Sequence, residues 1–134
     1  DLELNRDELP KYLEYLEKAE LVSVLRMKAN GDAILRKMDK LYLQNSNMSY
    51  VLSGENPDTG NARETIFYCW TKQKYDTVES PVSDFEIDGK TFEVGGRNKG
   101  KKQISNLKDA YVVKDTIEYV FDNQVPLWMF GFLY

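Results

Sequence analysis

The chain has 134 residues, enough for one domain or two very small ones sharing a core, and folding at this length hides roughly two-thirds of the unfolded surface. A hydrophobic share of 42% with 13% aromatic residues argues against disorder, and a net charge of −4 argues against a broad basic footprint for nucleic acid. The single cysteine, Cys69, excludes an internal disulfide, and the lack of any histidine excludes Ser-His-Asp chemistry, His-ligated zinc and histidine general bases.

Residues 5–19 predict an amphipathic helix with Asn5 as N-cap, Pro10 tolerated early, and Leu9, Tyr12, Leu13 and Leu16 on one apolar face. Its polar face carries Glu14, Glu17 and Lys18, a poor surface for a DNA groove. Leu21 to Met27 is β-rich, Asn30-Gly31-Asp32 is a turn, and Ile34–Lys37 with Lys40–Leu43 continue in extended form. A helix followed by a β-hairpin is the outline of a winged-helix unit. Residues 45–53 read as a short helix. The turn formers of 54–60 then mark a boundary between a unit at 1–53 and one at 61–134.

Asn61 is expected to cap a helix running to about Lys74, with Ile66, Phe67 and Trp70 on one side. Cys69 falls in this apolar stretch and reads as a small core residue. After Pro81, Asp84 opens a strand, Asp88-Gly89 makes a tight turn, and Glu93 closes a second strand. A short helix near Lys102–Leu107 and strands at Ala110–Val113 and Ile117–Phe121 should follow. The fold class expected is α+β or α/β with a mixed sheet and flanking helices. The apolar end, 126–134, should pack back on the body or on another domain.

The hairpin carries the chemistry. Its geometry brings Asp84 and Glu93 toward one point, and two converging carboxylates call for a cation or a proton between them. The pair is therefore either a divalent-metal site or two solvated carboxylates on an ordinary hairpin. Arg97, Lys99, Lys101 and Lys102 follow with no acid among them, either as a solvated turn or as a phosphate-facing loop. The chain has no Gly-x-x-x-x-Gly-Lys-Ser/Thr loop and no Gly-x-Gly-x-x-Gly, so neither nucleotide-binding route is open to it. No apolar run reaches membrane-spanning length and no basic-then-apolar leader opens the chain, so a cytoplasmic protein without a membrane partner is expected. An opening at Asp1 without a Met is the expected mark of a piece of something longer.

Two sets of residues carry a resemblance. The stretch from Leu9-Pro10-Lys11-Tyr12-Leu13 to Leu21-Val22, followed by Asp39-Lys40-Leu41-Tyr42-Leu43-Gln44-Asn45, resembles the region after the ATPase core in bacterial and archaeal AAA-type ATPases with a DUF4143 C-terminal domain. Arg63-Glu64-Thr65-Ile66-Phe67, Asp84-Phe85 and Phe92-Glu93-Val94-Gly95-Gly96-Arg97-Asn98-Lys99-Gly100 resemble its last part, which is similar to the restriction-endonuclease-like, PD-(D/E)xK fold. The resemblance implies a winged-helix-like unit followed by a nuclease-like domain, with ATP bound only in a neighbouring ATPase part. It assigns Glu64, Asp84 and Glu93 to a Mg²⁺ or Mn²⁺ site. The lysine expected two residues after the glutamate is replaced by Gly95, which Arg97 or Lys99 would have to make good. Ser83 stands where the family has a proline. The expectation is a catalytically degenerate module that binds DNA, a protein or its own ATPase core. The alternatives are a metal-dependent endonuclease and a domain that binds a protein partner through Trp128 and Phe130.

Overall fold

The computed structural model describes residues 8–28, 40–54, 56–99 and 104–133. Helix α1 spans Leu9–Lys18, with Pro10 in its first turn, where no intrahelical N–H is lost, and Lys18 in its last, where a cation suits the helix dipole. Asn5 lies outside the described residues. Of the expected apolar face only Leu13 is buried, while Leu9, Tyr12 and Leu16 remain at the surface. Strands β1 (Val22–Leu25) and β2 (Lys40–Leu43) pair antiparallel, with Val22 opposite Leu43 and Leu25 opposite Lys40. The expected turn at Asn30-Gly31-Asp32 and the extended Ile34–Lys37 fall outside the described residues.

Helix α2 (Ser46–Ser53) starts at Asn45, whose side chain accepts from the Asn47 N–H, and stops at Gly54 in the left-handed region, φ 61°. Helix α3 spans Thr59–Thr71. Its cap is Asp58 rather than Asn61: the Asp58 carboxylate accepts from the N–H groups of Gly60 and Asn61, at 2.8 and 3.2 Å. The helix also ends before Lys74. The Thr71 carbonyl takes both the Lys74 and the Tyr75 N–H, which closes the last turn.

A five-stranded mixed sheet follows, in the order β3 (Thr77–Glu79), β4 (Phe85–Ile87), β5 (Lys90–Gly95), β6 (Ala110–Lys114), β7 (Gln124–Pro126). Strands β3 to β5 are antiparallel, and β5, β6 and β7 are parallel. The β4–β5 turn is the two-residue Asp88-Gly89 loop, with φ of 49° and 76°, the paired positive values a tight hairpin demands. The fold is thus mixed α+β.

Two further expectations are corrected. The described part of Lys102–Leu107 is a turn at 104–106 that buries Ile104. Ile117–Phe121 is not a strand; Tyr119 and Phe121 are exposed, and Phe121 exchanges two backbone hydrogen bonds with Gln124 across a turn. The strand beside β6 begins only after that turn. Strand propensity without a surface to pack on did not decide the outcome.

The core joins residues from both sides of the 54–60 stretch: Leu25 and Tyr42 with Phe67, Tyr68, Phe85, Phe92, Val94, Val113 and Leu127. Phe67 is its hub, with ring centroids 5.0 Å from Phe85, 5.5 Å from Phe92 and 4.7 Å from Phe130. Polar ties reinforce this packing. Tyr68 donates its hydroxyl to the Val24 carbonyl at 3.0 Å, Lys72 donates to Ser23 and Gln44, and Glu79 N–H bonds the Arg26 carbonyl at 2.9 Å. Cys69 is half-buried with Sγ 2.9 Å from the Gln44 carbonyl, and burial pushes its thiol pKa up, away from the reactive thiolate. After β7 the chain forms a 3₁₀-helix, Leu127–Phe132, which returns Leu127 and Phe130 to the core.

Candidate functional site

The β4–β5 register pairs Phe85 with Phe92, so Asp84, the residue before β4, stands opposite Glu93. Glu93 is 1% exposed. A carboxylate so deeply buried must be paired, and each of its oxygens meets a partner. Oε1 lies 2.6 Å from Lys99 Nζ, and Oε2 accepts from the Ser83 hydroxyl. Ser83 also bonds the Phe92 carbonyl at 3.2 Å, so the residue at the expected proline position holds the hairpin mouth. Asp84 accepts from the Val94 N–H at 2.8 Å through Oδ2, the same oxygen that lies 3.8 Å from Lys99 Nζ.

Lys99 reaches this point because position 95 is glycine. A methyl group built on Gly95 would lie 2.5 Å from Lys99 Cγ, 2.6 Å from Cβ and 2.7 Å from Cδ. The Lys99 stem therefore fills the volume that a side chain at 95 would occupy, and its ammonium ends between Asp84 and Glu93. Gly96 serves a second cation in the same way. A Cβ there would lie 3.1 Å from Arg63 Cζ, and Arg63 in turn pairs with Asp115, Nε to Oδ2 2.6 Å. Neither glycine is among those with positive φ, so the pair serves close approach rather than an unusual backbone path.

Glu64, on α3, is brought to the same place by β2. The Tyr42 hydroxyl donates to Glu64 Oε2 at 2.6 Å, and Lys40 Nζ lies 4.0 Å from that oxygen and 3.7 Å from Asp84 Oδ1. Burial raises the Glu64 pKa; the Tyr42 hydrogen bond opposes it, and the Asp84 charge adds to it. Burial likewise raises the Asp84 pKa, against the pull of the Val94 N–H, with the Glu93 charge adding to the rise. For Lys99 burial alone would favour the neutral amine. The Glu93 hydrogen bond and the charges of Asp84, Glu93 and Glu64 outweigh it, and the net shift is upward. The Tyr42 hydroxyl is pushed far up by burial and by its bond to Glu64, so it stays a donor.

Three carboxylates thus share two ammonium groups, one between Asp84 and Glu93, the other between Asp84 and Glu64. Among the described residues no three acidic or cysteine side chains form a ready-made metal cluster. Each ammonium lies where oxygens of two carboxylates face a common point. Glu64, Asp84 and Glu93 offer hard oxygen donors of the kind that Mg²⁺ or Mn²⁺ would take.

Of the residues singled out in the sequence, Glu64, Asp84, Glu93 and Lys99 come together. Arg97 is exposed, and Lys101 and Lys102 lie outside the described residues. Lys40, Tyr42 and Ser83 belong to the site without having been singled out as such. The alternation Lys40-Leu41-Tyr42, which puts residues 40 and 42 on one face of a strand, was the available signal. At the C-terminal end, Phe130 packs on Phe67 and Phe92, whereas Trp128 is 50% exposed. No protein-family model, curated protein or solved structure matches this chain.

Proposed function

We propose that this chain is a nuclease-like C-terminal module of an AAA-type ATPase, and that its centre cleaves DNA phosphodiesters with the help of Mg²⁺ or Mn²⁺. The observation that carries this reading is the place of Lys99. Gly95 removes the lysine from the position where the resemblance expects it, but the Lys99 ammonium lies at 2.6 Å from Glu93 and 3.8 Å from Asp84, its stem in the space left by Gly95. A lysine, an aspartate and a glutamate meet despite the changed spacing.

In this reading Glu64, Asp84 and Glu93 would hold the ion. When bound, such an ion lowers the pKa of a water and neutralises charge on the phosphate under attack. Ser83 and the Val94 N–H orient Glu93 and Asp84. Tyr42 fixes Glu64. Lys99 stays protonated through neutral pH and presents a donor to an anionic oxygen at the centre. The test is nicking of supercoiled DNA in Mg²⁺ or Mn²⁺. Asp84→Asn should abolish it and Lys99→Met should slow it by about 10²-fold. Nicking that persists in Asp84→Asn contradicts the reading.

A second reading is a module that binds DNA or its own ATPase core without cutting. Lys40 favours it, because with Lys40 and Lys99 in place each pair of carboxylates already has a cation. It predicts DNA affinity that falls steeply with salt and weakens when Lys101 and Lys102 become Glu, with no metal-dependent nicking. Docking of a protein through the C-terminal aromatics has less support, since only Trp128 of the two expected rings stands well out. In the AAA-type reading ATP binds only in the neighbouring ATPase part, and the setting is cytoplasmic.

A further inference from the structure

Lys40 comes from β2, an element outside the Asp84–Glu93 hairpin, yet its ammonium enters the centre. Nζ lies 3.7 Å from Asp84 Oδ1 and 4.0 Å from Glu64 Oε2, with the Phe85 ring centroid 5.9 Å away. The Glu64 oxygen it faces is the one held by Tyr42, two residues along the same strand. Asp84 therefore meets a different ammonium at each oxygen, Lys40 at Oδ1 and Lys99 at Oδ2. The Lys40 side chain is about one-third exposed, at 31%, on a flexible four-carbon stem, so its head has a path to water.

Resting on the metal-dependent reading above, we propose that Lys40 is a positioning residue of this centre: its ammonium is the resident cation between Glu64 and Asp84, and a divalent ion enters by displacing it. An ammonium and a divalent ion cannot both sit against the same two carboxylates without strong repulsion. Metal entry therefore releases the Lys40 head toward solvent. The charge of Lys40 sets the metal concentration at which the centre loads. A lysine acting only as a strut gives the opposite sign, because its removal would let Glu64 and Asp84 drift apart and weaken metal binding.

The experiment is calorimetric titration of Mn²⁺ into the whole chain, its Lys40→Met and Lys40→Gln variants, and Lys40→Arg. Both neutral variants should bind Mn²⁺ roughly tenfold more tightly than the unaltered protein, and Lys40→Arg should stay within about threefold of it. Equal or weaker binding in a folded neutral variant overturns the proposal while leaving the metal-dependent reading standing. So does a tightening in Lys40→Arg as large as in Lys40→Met. No saturable binding by either the unaltered protein or the neutral variants overturns both. Thermal melting establishes which variants fold, and Lys40→Gln, which keeps a polar tip, serves if Lys40→Met does not.

Discussion

Gly95 decides what the centre can be. A single missing Cβ admits the Lys99 stem, and the ammonium then reaches Glu93 and Asp84. Gly95→Ala should force Lys99 out of this volume, since the clashing atoms are the inner part of its side chain rather than its tip. A loss of about 1–3 kcal/mol in urea unfolding is expected. The converse change is more telling. On the proposed nuclease reading, Lys99→Gly, which removes every atom that a Cβ at position 95 would meet, should slow nicking by about 10²-fold, and Gly95→Lys added to it should restore much of the rate, because the lysine then enters from the usual position into emptied space. The carboxylates carry a pH signature. Glu64 and Asp84 have folded-state pKa values raised by burial, so their protonated forms favour the folded state. That stabilisation is full below the ordinary carboxylate range and is lost as pH rises through the raised values. The stabilisation from Asp84 should therefore grow as pH falls from neutral toward that range, read as a melting-temperature difference between the unaltered protein and Asp84→Asn that shifts in favour of the unaltered protein. A difference that shifts the other way over the same interval would contradict the sign.

At the scale of elements, local chemistry set most boundaries. Asp58 caps α3 with two backbone hydrogen bonds, so Asp58→Ala should cost about 1 kcal/mol, read as a lowered urea midpoint. Both α2 and the Asp88-Gly89 hairpin were legible because their signals are short-range: an Asn cap, a left-handed Gly, a two-residue turn between β-rich runs. Elements that depend on distant partners were not. β3 is only three residues long and exists because β4 and the chain after β1 bracket it. Ile117–Phe121 had the propensity of a strand but pairs only through the single Phe121–Gln124 bridge, while Gln124–Pro126, with a proline in it, found β6. The site divides the same way. Asp84 opposite Glu93 follows from hairpin register, but Lys40 and Tyr42 reach Glu64 only through the packing of β2 on α3.

Across the whole molecule one apolar core serves both sides of the turn-rich 54–60 stretch, with Tyr42 packed at 5.5 Å from Tyr68 and 5.9 Å from Phe85. Residue patterns alone mark that stretch as a boundary, because turn formers look the same between domains and between layers of one body. Tyr42→Ala would open a cavity in this core and strip Glu64 of its hydroxyl donor. It should cost about 3–5 kcal/mol, whereas Tyr42→Phe, which keeps the ring, should lose only about 1–2 kcal/mol in the same denaturant titration. The central claim is that Glu64, Asp84 and Glu93 converge as a working centre around the cations that now sit between them. Mn²⁺ titration by calorimetry, with the whole chain beside Asp84→Asn, tests it most directly. Saturable binding that disappears in Asp84→Asn is the predicted result; binding that is absent, or that survives the substitution, would contradict it.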